Sequence, residues 1–173
     1  QATKRLQNDD RIRFAFVGGG KKKSIVENFV NEHGLTNAVL APYQPRESLD
    51  ELLSAADCHL VSLLVGVEGI MVPCKLFGIL ASARPALFIG SHQSEIAQVI
   101  QDDACGSTVD EGDVDALVQA ILAYADDPEL AQRQGEAGRV ALVQKHATIH
   151  RCAAWENLLQ SVVDQTKTEE MGA

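Results

Sequence analysis

Short apolar runs alternate with segments of helical periodicity along most of this chain, and that alternation constrains the fold more than any other feature. Several of the runs are apolar throughout, which is typical of strands covered on both faces. Strands separated by helices cannot pair as hairpins, so the pattern predicts a parallel sheet in a Rossmann-like three-layer α/β domain. The five predicted strands are Ile12 to Val17, Ala38 to Leu40, Cys58 to Leu64, Pro85 to Ile89 and Gly106 to Val109.

The clearest predicted helix follows the last of these strands. Its apolar residues recur with the period of one helix face, and Asp113 stands where a helix cap is needed. The stripe consists of Val114, Leu117, Val118, Ile121 and Leu122. After about residue 126 the strand candidates stop, and helical stretches are predicted near 129–145 and 149–163. The expected architecture is therefore a sheet of about five strands with extra C-terminal helices.

The predicted organisation has four parts. Residues 1–10 are expected to be the end of a truncated helix, which suggests a piece of a larger protein, and 11–147 form the Rossmann-like domain. Residues 148–164 are expected to form a C-terminal helix, followed by a frayed tail over 165–173.

Charge and hydropathy narrow the possible partners. The 173 residues include 24 acidic and 15 basic side chains, a formal net charge of −9. Nucleic-acid binding depends on clustered Lys and Arg, so no nucleic-acid partner is expected. No apolar run reaches the roughly 18 to 20 residues that cross a bilayer. The four cysteines and five histidines do not have the spacing of metal ligands, so no metal site is expected. The cysteines are expected to be reduced thiols.

The loops that follow the predicted strands are the candidate sites, because ligands of open parallel sheets bind beyond the carboxyl ends of the strands. Gly18, Gly19 and Gly20 follow the first strand, where backbone N–H groups can approach a phosphate. Lys23 stands where a dinucleotide Gly-x-Gly-x-x-Gly motif would need its third glycine. A P-loop motif is also absent from the sequence. These observations disfavour a nicotinamide enzyme and a P-loop NTPase.

The loop after the third predicted strand is the strongest candidate. About ten residues join strand and helix there, where two to six are usual. The loop contains one carboxylate, Glu68, and Pro73 suits the first turn of the next helix. Lys75 in that turn would add a full positive charge for a diphosphate. The alternative is that Glu68 caps the helix and Lys75 is solvated.

The order of these segments resembles the C-terminal half of a GT-B fold retaining glycosyltransferase of the glycosyl transferases group 1, or family 4, type. The resemblance is closest to bacterial polysaccharide transferases that use fucosamine-type sugars. Its most specific part is the spacing of Glu68-Gly69, Pro73, Lys75, Ala81, Arg84 and Pro85. Weaker matches are Phe16 to Gly20, Asn37 to Pro45, Ala55 to Asp57 and Gly106.

The resemblance implies a role for each candidate residue. The donor would be a UDP- or GDP-sugar with no further cofactor and no metal, and Glu68 would face the sugar as the catalytic residue. The glycine loop with Gly19 and Gly20, and the segment with Lys75, would meet the diphosphate, while Tyr43 and Gln44 would lie beside the base. The remaining donor-binding positions are Gly69, Ile70, Met71 and Val72.

The resemblance also implies what lies outside this chain. Family members open this half with a strand and a glycine-containing loop, and they hold the acceptor in an N-terminal domain. We therefore expect the isolated chain to be inactive. The whole protein would be cytoplasmic, at the inner membrane face through the other domain, with no direct membrane contact from this half.

One departure from the family pattern concerns the nucleotide ribose. The family places a second glutamate there, where this chain has Gly78. Two alternatives stay open, a nucleotide-sugar epimerase of the same fold and a non-catalytic flavodoxin-like nucleotide-binding module.

Overall fold

Five short strands alternate with eight helices in the computed structural model, which describes residues 1–64, 66, 67, 69, 70 and 74–171, with side chains as far as residue 164. The strands are β1 (Phe14–Val17), β2 (Ala38–Ala41), β3 (His59–Ser62), β4 (Ala86–Ile89) and β5 (Gly106–Val109). The helices are α1 (Ala2–Arg5), α2 (Lys23–His33), α3 (Leu49–Ser54), α4 (Lys75–Ala81), α5 (Glu95–Asp102), α6 (Val114–Asp126), α7 (Pro128–Ala141) and α8 (Thr148–Met171).

Every pairing among the five strands is parallel, which confirms the predicted α/β class. β1 pairs with β2, with Phe14 opposite Ala38. β4 lies between β3 and β5, so that Ala86 is opposite both His59 and Gly106. The strands thus form a two-stranded and a three-stranded sheet where one continuous sheet was expected, because β1 and β3 share no backbone pairing among the described residues.

The main core forms around β4. Its residues Ala86, Leu87 and Phe88 are inaccessible to water, as the continuous apolar run predicts for a strand covered on both faces. Leu76 and Leu80 of α4 pack in the same cluster. α4 is thereby held against the sheet at the point where the long loop ends.

A second core joins the two-stranded sheet to α6. Leu6, Ile12 and Phe14 pack against the apolar stripe of α6, which confirms the helix predicted there. Asp113 caps this helix by accepting a hydrogen bond from the Ala116 amide at 2.9 Å. The amphipathic pattern and the cap therefore position α6 beneath β1.

The C-terminal part is helical. The helices predicted near 129–145 and 149–163 are present as α7 and α8, but α8 continues to Met171, into the range 165–173 for which a frayed tail was predicted. A π-helical turn over Leu142–His146 separates α7 from α8. Every described side chain of α8 is exposed, so this helix extends away from the two cores. None of the described helices has the length and apolar content that a membrane crossing requires.

Candidate functional site

The glycine loop begins where β1 ends. The Gly18 amide donates to Ala41 O at 3.0 Å, which extends the pairing of β1 with β2 by one residue. Gly18 has a φ of +116° and Gly20 a φ of +148°, both in the region that favours glycine. The turn that carries the chain from β1 towards α2 therefore favours glycine at positions 18 and 20.

Tyr43 covers this loop. An added Cβ at Gly18 would lie 3.2 Å from the Tyr43 ring and one at Gly19 would lie 3.0 Å from it, so the ring lies close against the glycine backbone. The Tyr43 hydroxyl also donates to Gly19 O at 3.2 Å. The residue remains 76% exposed. The contact therefore fixes the ring at the carboxyl ends of β1 and β2 while most of it still faces solvent.

Gln44 follows Tyr43 in the same loop. Its side-chain amide donates to Pro42 O at 3.1 Å, which folds the side chain back on its own turn. Gly20 is open to solvent, with no atom within 4 Å of an added Cβ. The structure thus brings Gly19, Tyr43 and Gln44 to one end of the two-stranded sheet.

The long loop after β3 is described in part. Gly66 and Gly69 have φ values of +92° and +77°, and the Ile70 amide donates to Val67 O at 3.2 Å in a tight turn. Ile70 is 83% exposed. The predicted residues Glu68, Met71 and Val72, with Pro73, lie outside the described residues.

Lys75 is the first residue of α4 and is exposed. Across the described residues its ammonium group makes no ion pair, whereas Lys23 pairs with Glu27 and Lys145 with Asp103. Leu76, Ile79 and Leu80 are buried and hold the helix in place. Lys75 therefore presents a positive charge that no carboxylate among the described residues neutralises, at the start of a helix held by its buried side chains.

One other polar side chain at the strand ends, that of His92, has a protein partner. His92 lies 3.8 Å from the Asp110 carboxylate in the loop after β4. Within the described residues, no three His, Cys, Asp or Glu side chains come together as a metal site would require. The expectation that no metal and no cofactor is bound stays a prediction.

Sequence reasoning missed one polar cluster. Asp103, at the end of α5, binds Lys145 and His146, which are 42 and 43 residues away in the sequence. His146 has no local motif around it, and no local pattern connects residues so far apart. The signal for this cluster was therefore absent from the sequence.

Known proteins resemble this chain in sequence and in fold. WcaI of Escherichia coli (strain K12), whose name assigns it to colanic acid biosynthesis, is 33% identical over 122 residues, which are 70% of this chain and 30% of WcaI. The structure of TarM superposes with a TM-score of 0.74 and 18% identity, over 91% of this chain and 30% of TarM. Sucrose-phosphate synthase from Thermosynechococcus elongatus gives a TM-score of 0.74 and 17% identity, over 95% of this chain and 41% of the enzyme.

These comparisons show which fold the chain has and how much of a relative's length it spans. The two solved structures are glycosyltransferases of the GT-B fold, and their parallel α/β architecture matches the one described above. The chain spans about 30% of the length of WcaI. The model of one protein family, Glycosyl transferases group 1, matches residues 1–141. This chain belongs to that family.

Proposed function

We propose that this chain is the donor-binding part of a glycosyltransferase that takes a sugar from a UDP- or GDP-sugar and transfers it to a polysaccharide or lipid-linked acceptor with retention. The observation that carries the proposal is the placement of Tyr43 against the glycine loop at the carboxyl ends of β1 and β2. Ligands of open parallel sheets bind at that edge. Family membership and a TarM structure in complex with UDP support the choice of a nucleoside diphosphate.

The glycine loop and Tyr43 would hold the nucleotide. The Tyr43 ring occupies the space beside Gly18 and Gly19, whereas no atom lies within 4 Å of an added Cβ at Gly20, so a ligand can reach the backbone at Gly20. The Tyr43 ring has one face against that backbone and leaves most of its surface exposed. We assign Tyr43 and Gln44 to the base, where an aromatic ring offers a surface for stacking.

Lys75 would act on the diphosphate. In sugar transfer, negative charge develops on the departing diphosphate, and a cation already in place stabilises that charge without reorganisation. Lys75 has no ion-pair partner among the described residues, so a phosphate would not have to displace any carboxylate of the described part of the chain. Gly69, Ile70, Met71 and Val72 would contribute backbone groups on the same side.

Glu68 would face the donor sugar. A carboxylate accepts hydrogen bonds from sugar hydroxyls and stabilises positive charge near the anomeric carbon. This role rests on the family resemblance, because Glu68 lies outside the described residues. We assign no metal to the reaction, since Lys75 and the backbone amides would serve the diphosphate.

Changes in the backbone amide chemical shifts of the chain on addition of UDP or GDP, measured by NMR, would locate the site. We expect the largest changes at Gly18, Gly19 and Gly69 and in the Tyr43 and Lys75 amides. Tyr43→Ala removes the ring from the glycine loop and should weaken the response, while Tyr124→Phe, a buried tyrosine in α6, serves as the control. Changes confined to other surfaces, or equal responses in both variants, would contradict the site.

The isolated chain should not transfer sugar. Transfer requires that the acceptor hydroxyl be held at the anomeric carbon in a closed cleft, and this chain spans about 30% of the length of WcaI. An assay with UDP- or GDP-sugar and a lipid-linked acceptor should give product with the full-length protein and none with these 173 residues. Measurable transfer by the chain alone would refute this part of the proposal.

A further inference from the structure

The direction of α8 must be set at its first turn. Every described side chain of the helix is exposed, so packing along its length does not hold it. Ala147 has extended backbone angles, φ −59° and ψ 144°, and breaks the helical path between the π-helical turn and α8. A helix joined through one extended residue needs side-chain contacts to keep a single orientation.

A chain of hydrogen bonds supplies these contacts. Asp103 accepts from Lys145 Nζ and from His146 Nε2, each at 2.6 Å. Arg151, in the first turn of α8, lies with Nη2 2.7 Å from His146 Nδ1. The Asp103 and His146 side chains are only 2% and 7% exposed, so the anchor of the chain is buried. These hydrogen bonds, from Asp103 through His146 to Arg151, thus connect the end of α5 to α8.

The partners of His146 determine where its proton is. Arginine can only donate, so Nδ1 must accept from Arg151 and carry no proton. The carboxylate of Asp103 can only accept, so Nε2 must carry the proton and donate to it. The observed arrangement therefore requires neutral His146 with its proton on Nε2.

A second proton on His146 would disrupt one side of this arrangement. Protonation at Nδ1 would place a donor against the donors of Arg151 and add a like charge. The bond to Asp103 would be kept, because an imidazolium Nε2–H still donates to a carboxylate. The contact between His146 and Arg151 would therefore break while the buried bond from His146 to Asp103 stays intact.

We propose that His146 is a pH-sensitive latch, which holds α8 in one orientation when the imidazole is neutral and releases the helix when the imidazole is protonated. Its charged partners among the described residues are Asp103 at the end of α5 and Arg151 on α8. Lys145 precedes it in the chain, shares Asp103 and is influenced by Asp102, and His150 in the first turn of α8 bonds to Val143 O. α4 presents the uncharged ring of Phe77, whose centroid is 5.8 Å from that of His146.

The other hydrogen bonds near His146 do not respond to its protonation in the same way. The Nε2 atom of His150 lies 3.1 Å from Val143 O. A carbonyl oxygen accepts from either neutral or protonated imidazole, so that bond survives. Burial alone would raise the pKa of Asp103, but the hydrogen bonds from Lys145 and His146 outweigh burial and lower it. Asp103 therefore stays ionised in mildly acidic solution.

Pulsed electron resonance between two spin labels tests the latch. The labels are placed at Ser161 on α8 and Gln132 on α7 of the 173-residue chain, with the exposed Cys74 and Cys152 replaced by serine. Distances are recorded at about pH 8 and about pH 5.5, on either side of the usual histidine range. We expect a narrow distribution at the higher pH and its loss at the lower one.

Two variants separate the latch from general acid effects. Arg151→Met cannot make the bond and should give the broad distribution at both pH values. His146→Gln keeps one donor and one acceptor but does not titrate, so its distribution should be the same at both pH values. Arg133→Met removes a surface arginine that pairs with Asp127 and should leave the pH response intact.

Side-chain 15N shifts of His146 provide an independent reading, with Nδ1 unprotonated at about pH 8. The proposal is overturned if Nδ1 carries a proton there or if the unsubstituted chain shows no pH response. It is also overturned if the response persists in either Arg151→Met or His146→Gln. Near-ultraviolet circular dichroism of each variant checks that the core is folded.

Discussion

Individual side chains in this chain differ strongly in how far they are removed from water, and the cysteines show the consequence. Burial raises the pKa of the Cys58 thiol to about 12, with the nearby Asp57 adding to the effect. Burial also raises the pKa of Cys105 to about 11. Cys74 and Cys152 are exposed. Because the thiolate is the reactive form, the raised pKa and the burial of Cys58 and Cys105 both lower the reactivity of these thiols.

A thiol-alkylating reagent should therefore distinguish the four cysteines. At about pH 8, iodoacetamide is expected to modify Cys74 and Cys152 and to leave Cys58 and Cys105 unmodified until the chain is denatured. Peptide mass spectrometry before and after denaturation measures this. Rapid modification of Cys58 in the folded chain would show that the region between α3 and β3 opens.

Lys75 provides the corresponding test of the proposed site. Lys75→Ala should weaken binding of the nucleoside diphosphate by about 1.5 to 3 kcal/mol if a charge-assisted hydrogen bond is made in a sheltered site. Lys4→Ala removes an exposed lysine from α1 and is the matched control. Titration calorimetry or NMR measures both affinities. Equal affinities in the two variants would mean that Lys75 is a solvated helix residue.

At the level of the elements, close backbone approach fixes how α7 packs. A Cβ added at Gly135 would lie 2.1 Å from the carbonyl oxygen of Ala83, a distance that no small rearrangement of side chains can relieve. Ala83 itself has a φ of +53° and leads the chain from α4 towards β4. Gly135 therefore allows α7 to contact the backbone that precedes the central strand.

Gly135→Ala should lower the free energy of unfolding by about 3 kcal/mol, because the helix must move away from the core. Glu136→Ala, at the next and exposed position, should change it by less than about 0.5 kcal/mol. Urea unfolding followed by circular dichroism compares the two. A Gly135→Ala variant as stable as the parent chain would show that α7 can shift without cost.

Most elements were predictable because they depend on local sequence patterns, whereas the contacts between the π-helical turn and α5 were not. The stripe of α6 and the cap at Asp113 depend on residues within a few positions of one another, and the cap is present. The π-helical turn contains Lys145 and His146, whose contacts with Asp103 join residues far apart in the sequence. Such a pairing exists only once the fold has brought α5 beside the turn.

The candidate site was predictable to the same degree. Gly19 and Tyr43 were identified in separate loops, and their contact follows from the parallel pairing of β1 and β2, whose carboxyl ends meet. The close fit of the Tyr43 ring on Gly18 depends on the backbone angles of the loop, which sequence does not specify. The placement of Glu68 is outside the described residues, and its role stays a prediction.

At the scale of the whole molecule, the two sheets should differ in stability. The three-stranded sheet has its central strand buried on both faces, whereas β1 and β2 form a two-stranded unit in which Phe16, Val17 and Val39 are exposed. Two-stranded units are marginal alone and rely on other elements for support. Here the support comes from α1 and α6 through the second core.

Amide hydrogen exchange should show this difference directly. Leu87 and Phe88 of β4 are expected to exchange only on global unfolding, and Phe16 and Val39 through local opening of the smaller sheet. NMR exchange rates under native conditions provide the measurement. Equal protection in both sheets would mean that they open as one cooperative unit.

The most direct test of the proposed function is ligand-observed NMR of the 173-residue chain with UDP, GDP, UMP, NAD and FMN. The proposed donor site predicts that one nucleoside diphosphate binds in preference to UMP and NAD, because the second phosphate would meet Lys75. Binding of FMN or NAD in preference to both diphosphates would contradict the proposed function.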